Sequence, residues 1–259
     1  MDDSVRLFSA RSDGYAQFRP SYPQGLFDWL ARQCSRTQLA LDIAAGSGQA
    51  SRPLLRHFDQ VVACDASPEQ LRSSNDWQSV LYFAARAHRL PVHQQTADLI
   101  VVAQALHWFA TPAFFAEVRR VLRSDGLFCA WCYSLLTIEP ALDEVVAHLH
   151  GSILNGYWPN ERVSVDSRYR DIQLPFEQVD TPDFAIELDW NLYQLLGYLR
   201  TWSAVTQWHG THGSDPILPL EPELAQRWGC PDTQRRIRWP LHLLAGFPNR
   251  QDAPCTTNC

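Results

Sequence analysis

The chain has 259 residues, is 46% hydrophobic and 12% aromatic, and carries a net charge of -6. This apolar content can bury a core and excludes disorder over most of the length, while the acidic balance argues against a nucleic-acid or anionic-membrane partner. All 22 basic residues are Arg, which excludes Schiff-base and lysine-nucleophile chemistry and removes the lysine of a P-loop.

The first residues, "MDDSVRLFSARSDGYAQF", hold no apolar run of signal-peptide type, so a cytoplasmic protein is expected. From residue 39 onward strand and helix signals alternate. Leu39–Ala44 reads as a strand and Ser51–His57 as a helix. Val61–Asp65 is a second strand. Pro68–Ser74 starts a second helix, with Ser67 as N-cap and Pro68 at the first helical position. Val80–Ala84 and Ala97–Ala103 are further strands. Thr111–Leu122 is an amphipathic helix, "SDG" is a turn, and Leu127–Tyr133 is a fifth strand. Near-continuous apolar strands that alternate with helices indicate a doubly wound α/β sheet, mostly parallel and covered on both faces.

Beyond residue 135 the pattern is less regular. Pro140–Leu154 and Leu192–Gln207 read as helices, and Phe184–Trp190 and Arg236–Leu244 as late strands. "GYWPNERVSVDSRYRDIQLPF" reads as a long loop-like insert rich in aromatics and Arg, and such inserts are usually functional. The expected organisation is one domain over residues 1–250. It has a core at 36–135, an N-terminal lid at 8–30 and a cap at about 136–215. Residues 251–259 form an unstructured tail.

The most apolar stretch, "ADLIVVAQALHWFA", is too short to span a bilayer. The seven Cys are scattered and read as mostly buried free thiols. Cys129 and Cys132 form C-x-x-C inside a strand, where odd spacing sends them to opposite faces. His148 and His150, two apart on a helix, also diverge. No metal constellation is expected.

"LDIAAGSGQ" (Leu41–Gln49) carries the site. It places a strand, an acid and a turn with two glycines at the carboxyl end of the sheet, where open α/β folds bind ligands. The dinucleotide fingerprint needs a third Gly, and Ser51 stands there. Asp42 would repel a pyrophosphate but suit a cationic sulfonium and amino group. Asp65 closes the second strand, where an acid can take both ribose hydroxyls of either cofactor. The residues therefore indicate an adenosine cofactor, with S-adenosylmethionine ahead of NAD.

"LDIAAGSGQ" resembles the first motif of class I S-adenosylmethionine-dependent methyltransferases of the type 11 group, with Ala44 in place of the usual first Gly. "YAQFRPSYP", "AQALHWF", "VRRVLRSDGLFCAW", "YWPNER", "LPF", "YLRTWSA" and "WPLHL" resemble the relatives of trans-aconitate methyltransferase, across about residues 8–246. The resemblance implies a Rossmann-like methyltransferase sheet, mostly parallel with its last strand antiparallel, and an inserted acceptor-binding cap. It also implies methyl transfer by in-line displacement to a small-molecule acceptor. That acceptor is a carboxylate, a hydroxyl, a thiol or a ring nitrogen, for instance in a secondary metabolite.

On this resemblance Asp42, Ala44, Gly46 and Gly48 would hold the methionine moiety. Asp65 would take the ribose. Ala66, Arg86 and Ala87 would pass adenine, with Arg86 where many relatives carry an acid. Gln104 would lie next to the methyl group, and Tyr15 and Arg19 would cover the cofactor. His107 and Tyr22 are the candidate catalytic residues, His107 as base or acceptor-positioning residue and Tyr22 also as part of the acceptor pocket. Trp158, Arg162, Tyr169, Arg200 and Trp202 would build the acceptor pocket, in which Arg162 or Arg200 could clamp an acidic group. The other readings are an NAD-type oxidoreductase and a non-catalytic S-adenosylmethionine-binding protein. The sequence carries no sign of a metal and leaves the oligomeric state open.

Overall fold

A computed structural model of the protein describes residues 20–72 and 79–248. Helix α1 (Gln24–Gln33) buries Leu26, Phe27, Trp29 and Leu30 before the first strand. The order from there is β1 (Leu39–Ile43), α2 (Ser51–Leu54), β2 (Gln60–Asp65), α3 (Pro68–Arg72), β3 (Val80–Ala84), β4 (Ala97–Ala103), α4 (Pro112–Val121) and β5 (Leu122–Tyr133). A single 3-10 turn, Leu106–Trp108, lies between β4 and α4. The later elements are α5 (Pro140–His148), α6 (Arg162–Asp166), β6 (Glu177–Gln178), β7 (Phe184–Trp190), α7 (Leu192–Arg200), α8 (Ser203–His212), α9 (Glu221–Trp228) and β8 (Arg235–Phe247).

The strands form one sheet in the order β3-β2-β1-β4-β5-β8-β6, with β7 also paired to β8. β1 to β5 run parallel. β8 is antiparallel to β5, β6 and β7. This is the expected mostly parallel sheet with an antiparallel final strand. The chain leaves β1 towards β2 on one side and reaches β4 on the other, which opens a crevice at the carboxyl ends of β1 and β4.

Strand pleating sorts the core into two layers. Ala40, Leu99, Val101, Leu127, Cys129 and Trp131 pack with α1 on one face. Leu41, Ile43, Ile100, Val102, Phe128, Ala130 and Cys132 pack with α4 on the other. Cys129 and Cys132 therefore separate to opposite faces, as odd spacing requires. Cys34 is half-buried, Cys64, Cys129 and Cys132 are buried, and Cys230 is exposed. At the amino end of the sheet, buried Asp98 accepts the N–H groups of Gln38 and Leu39 at 2.7 and 2.9 Å and pairs with Arg123 at 3.0 Å. One carboxylate thus ties the starts of β1, β4 and β5.

Several elements differ from their sequence reading. α2 stops at Leu54, because the next three N–H groups bond tightly to i−3 carbonyls around Pro53. "SDG" does not precede β5 but interrupts it: the ladder passes from Ala97↔Leu122 to Leu99↔Leu127 and skips the residues between. The helix expected over Leu192–Gln207 breaks in two. Thr201 Oγ1 donates to the Tyr198 carbonyl at 2.6 Å, and Trp202 turns extended at ψ 139. The insert expected as a loop contains α6, braced by an Arg162–Asp166 ion pair at i,i+4. Of the expected lid at 8–30, only residues 20 onward are described, and the tail at 251–259 lies outside the described residues. Among the described residues no helix is long and apolar enough to cross a membrane.

β8 carries a close approach at Gly246. A Cβ there would lie 2.8 Å from the Glu177 carbonyl oxygen and 3.0 Å from Phe176 Cβ. Gly246→Ala should destabilise the protein by about 1–3 kcal/mol through overpacking. Chemical denaturation of the two proteins measures this, and an unchanged midpoint would show that β6 yields freely.

Candidate functional site

The turn after β1 runs through left-handed backbone at Ala44 (φ 58), Gly46 (φ 56) and Gly48 (φ 83). Ala44 thus adopts the conformation that a glycine would take there, at a steric cost, and the turn keeps its course. Among the described residues a Cβ on Gly46 would meet only the Gln70 side chain, at 3.8 Å. The constraint those residues place on Gly46 is therefore its φ.

Asp65 locks this turn. Its Oδ2 accepts the Gly46 N–H at 2.9 Å, and its Oδ1 accepts the Ser67 N–H at 2.8 Å. Burial raises the Asp65 pKa, and the backbone N–H groups of Ser67, Gly46 and Ala66 act against that rise. Ser67 also caps α3 by accepting from the Gln70 N–H at 3.3 Å, as expected from its place before Pro68.

Asp42 lies one layer deeper and is fully buried. Ser51 Oγ donates to its Oδ2 at 2.5 Å. Among the described residues its Oδ1 has no hydrogen-bond partner. Burial, opposed by the Ser51 bond and assisted by the Asp65 charge, pushes the Asp42 pKa up to about 7. An orphaned buried carboxylate oxygen beside a left-handed turn suits a cationic ligand group, since a positive charge would offset the cost of ionising it. Ser51, read only as the missing third glycine, is therefore the anchor of this carboxylate.

The residues expected to pass adenine lie at the ends of β2 and β3, where the Arg86 carbonyl accepts the Arg89 N–H at 3.0 Å. Ala66 and Arg86 are exposed, and Ala87 is half-buried. Tyr15 and Arg19 lie outside the described residues.

At the ends of β4 and β5 a second group converges. Gln104 is left-handed at φ 56. Its N–H donates to the Trp131 carbonyl at 2.8 Å, and its Oε1 accepts the Tyr133 N–H at 3.1 Å. The Gln104 side chain thus bridges the two strand ends. Tyr22 packs edge-on to Trp131 with centroids 5.4 Å apart, and the buried Trp131 Nε1 has no partner.

His107 stands in the 3-10 turn, and its Nδ1 lies 3.2 Å from the Tyr169 hydroxyl. Burial, and then the Arg162 charge, depress its pKa to about 3. Burial raises the Tyr169 pKa well above the usual tyrosine range, and nearby Cys132 adds to this. At neutral pH both side chains are uncharged.

The cap contributes an aromatic cluster. The Arg162 guanidinium lies over the Trp158 ring at 4.7 Å and uses its Nε on Asp166 at 3.1 Å. Trp158 packs against Trp202 at 5.5 Å and against His150 at 4.7 Å. Burial and Arg162 lower the His150 pKa, with Asp166 opposing them. His150 and Asp166 join this cluster without having been singled out as site residues. Divergence from His148 was legible, since His148 is exposed and His150 half-buried, but the aromatic surroundings of His150 were not. Arg200 does not join the cluster. Its guanidinium is engaged by Asp215, at 2.8 Å from Nε, and by Glu221, so it is not placed to clamp an acceptor. Among the described residues no cluster of metal-ligating side chains occurs.

A family model described as "Methyltransferase domain" matches residues 41–130. A solved structure from Anaeromyxobacter dehalogenans, assigned as a type II methyltransferase, is 39% identical; the match covers 90% of this chain and 99% of that one, with a TM-score of 0.85. A Dictyostelium discoideum protein assigned as a methyltransferase is 29% identical over 92% of this chain and 93% of its own length. A Saccharomyces cerevisiae protein named for S-adenosylmethionine-dependent methylation is 23% identical over 87% of this chain and 91% of its own length.

The two buried acid–base groups have opposite pH signatures. Asp42 is raised, so its share of stability is present below its unfolded pKa near 3.8 and is lost as pH rises through about 7. His107 is lowered, so its share is present above 6.5 and is lost as pH falls towards about 3. The two oppose one another between those limits. Asp42→Asn should therefore gain stability relative to wild type as pH rises from 4 to 8. Denaturant unfolding across that range measures it, and a pH-independent difference would contradict the buried-acid assignment.

Proposed function

The chain belongs to the class I S-adenosylmethionine-dependent methyltransferases, and on that premise we propose that it methylates a small-molecule acceptor held between the sheet and residues 136–215. When bound, S-adenosylmethionine supplies a sulfonium-activated methyl group. The Gly46 turn and the unpaired Asp42 oxygen fit its cationic methionine end. Asp65, held by two N–H groups, fits the ribose hydroxyls, which would exchange for or add to those bonds.

The observation that carries the acceptor reading is the convergence at the ends of β4 and β5. Tyr22, Gln104, His107 and Tyr169 gather there, and Arg162 influences His107 from the cap. Methyl transfer needs the nucleophile aligned opposite the departing sulfur and water excluded. A buried wall of Trp131, Tyr22 and Tyr169 provides exclusion. Trp158 and Trp202 add planar surface for a compact acceptor, and aromatic surface of this kind favours a metabolite, such as a secondary metabolite, over a macromolecule. The reading includes a reducing cytoplasmic setting, which the buried thiols of Cys64, Cys129 and Cys132 suit.

Calorimetric titration tests the cofactor half. S-adenosylmethionine and S-adenosylhomocysteine should bind and NAD should not. Asp65→Ala should weaken that binding by about 1–3 kcal/mol, the scale of leaving polar groups unpaired. A screen of small carboxylic acids, thiols, hydroxyls and heterocycles, read by S-adenosylhomocysteine release, tests the acceptor half. Turnover only with a protein or RNA would overturn it.

A further inference from the structure

His107 and Tyr169 meet through Nδ1 and the phenol oxygen at 3.2 Å, and hydrogen-bond accounting decides which of them donates. Tyr169 is fully buried. It is reached through two successive left-handed residues, Arg168 at φ 64 and Tyr169 at φ 60, a costly conformation that persists only where the surroundings impose it. The 3-10 turn holding His107 begins at Leu106, and the first N–H groups of such a turn have no carbonyl partner within it. The N–H groups of His107 and Leu106 act on the Tyr169 oxygen, lowering its pKa against the larger effect of burial.

The buried phenol proton needs an acceptor. Among the described residues the acceptor bonded to it is His107 Nδ1. If Nδ1 carried the proton instead, it would donate to that oxygen. The buried O–H would then be left without an acceptor, at a cost of about 1–3 kcal/mol.

We propose that Tyr169 is a positioning residue that fixes His107 as the Nε2–H tautomer, which makes His107 a hydrogen-bond donor to the methyl acceptor and not its base. An Nε2–H nitrogen has no lone pair with which to take a proton. The acceptor must therefore arrive with its nucleophilic lone pair free, as a carboxylate, a thiolate or a ring nitrogen. In the transfer that lone pair forms the new bond to carbon, the carbon–sulfur bond breaks with its electron pair on sulfur, and no proton passes to the protein. Arg162, whose charge acts on the His107 ring, favours the anionic members of this set. This inference rests on the small-molecule methyltransferase reading for its chemistry, but its test does not need an acceptor.

The test is nitrogen-15 NMR of histidine-labelled full-length protein at neutral pH with S-adenosylhomocysteine, with the His107 signals assigned by their loss in His107→Gln. Wild type should show a lone-pair Nδ1 and a protonated Nε2. Tyr169→Phe, which removes the fixing donor, should show both tautomers in exchange. A protonated Nδ1 in the wild type would overturn the proposal whether or not the variant folds. With an acceptor found by the screen, His107→Ala should lower kcat by about a hundredfold, the scale of losing one preorganised donor. His107→Gln, which retains a donor, should recover most of that loss. Equal loss in both variants would restore the base role. Failure to find any small acceptor would count against the functional reading and leave the tautomer result standing.

Discussion

The Asp65 carboxylate on the Gly46 N–H is the contact from which the cofactor end of the site is built. It joins the end of β2 to the left-handed turn after β1, beside the backbone bond from the Ala45 N–H to the Cys64 carbonyl at 3.0 Å. A left-handed turn is costly for Ala44 and free for Gly46 and Gly48, so its course must be held from outside. These two bonds to a neighbouring strand do this, and the carboxylate bond is the charge-assisted one. The same carboxylate accepts from Ser67 and so orders the entry to α3.

Beneath this surface layer, Asp42 shows how the fold carries a destabilising feature for the sake of the site. Full burial of a carboxyl with one oxygen unpaired costs stability, and the raised pKa expresses that cost. A ligand cation would reverse the sign, because ionised Asp42 would gain a partner in a low-dielectric setting. His107 presents the complementary case on the other side of the crevice. Its burial beside Arg162 keeps it neutral, so its contribution is a directed hydrogen bond and not a charge.

The segment after β5 meets a different constraint, that of burying its aromatic side chains. Trp158, Trp202 and His150 pack on one another and bring Arg162 near His107. Trp202 reaches this position only because the helix expected through it breaks at Thr201. Arg200, two residues earlier, stays on α7 and pairs with Asp215 and Glu221 instead. Two arginines of equal promise by residue type thus end with different work.

The sequence by itself determined the sheet, its parallel core and the place of the crevice. Continuous apolar strands such as "ADLIVVA" alternate with helices, and that pattern has few foldings. It also marked Asp42, Gly46, Gly48 and Asp65, because tight turns and charged strand ends leave local signatures. Only the tertiary structure decided what depends on long-range contacts. It paired Ser51 with Asp42, brought Tyr169 from the insert onto His107, set Arg162 near that pair and took Arg200 away. Those outcomes depend on distances between segments far apart in the chain, and local spacing carries no information about them.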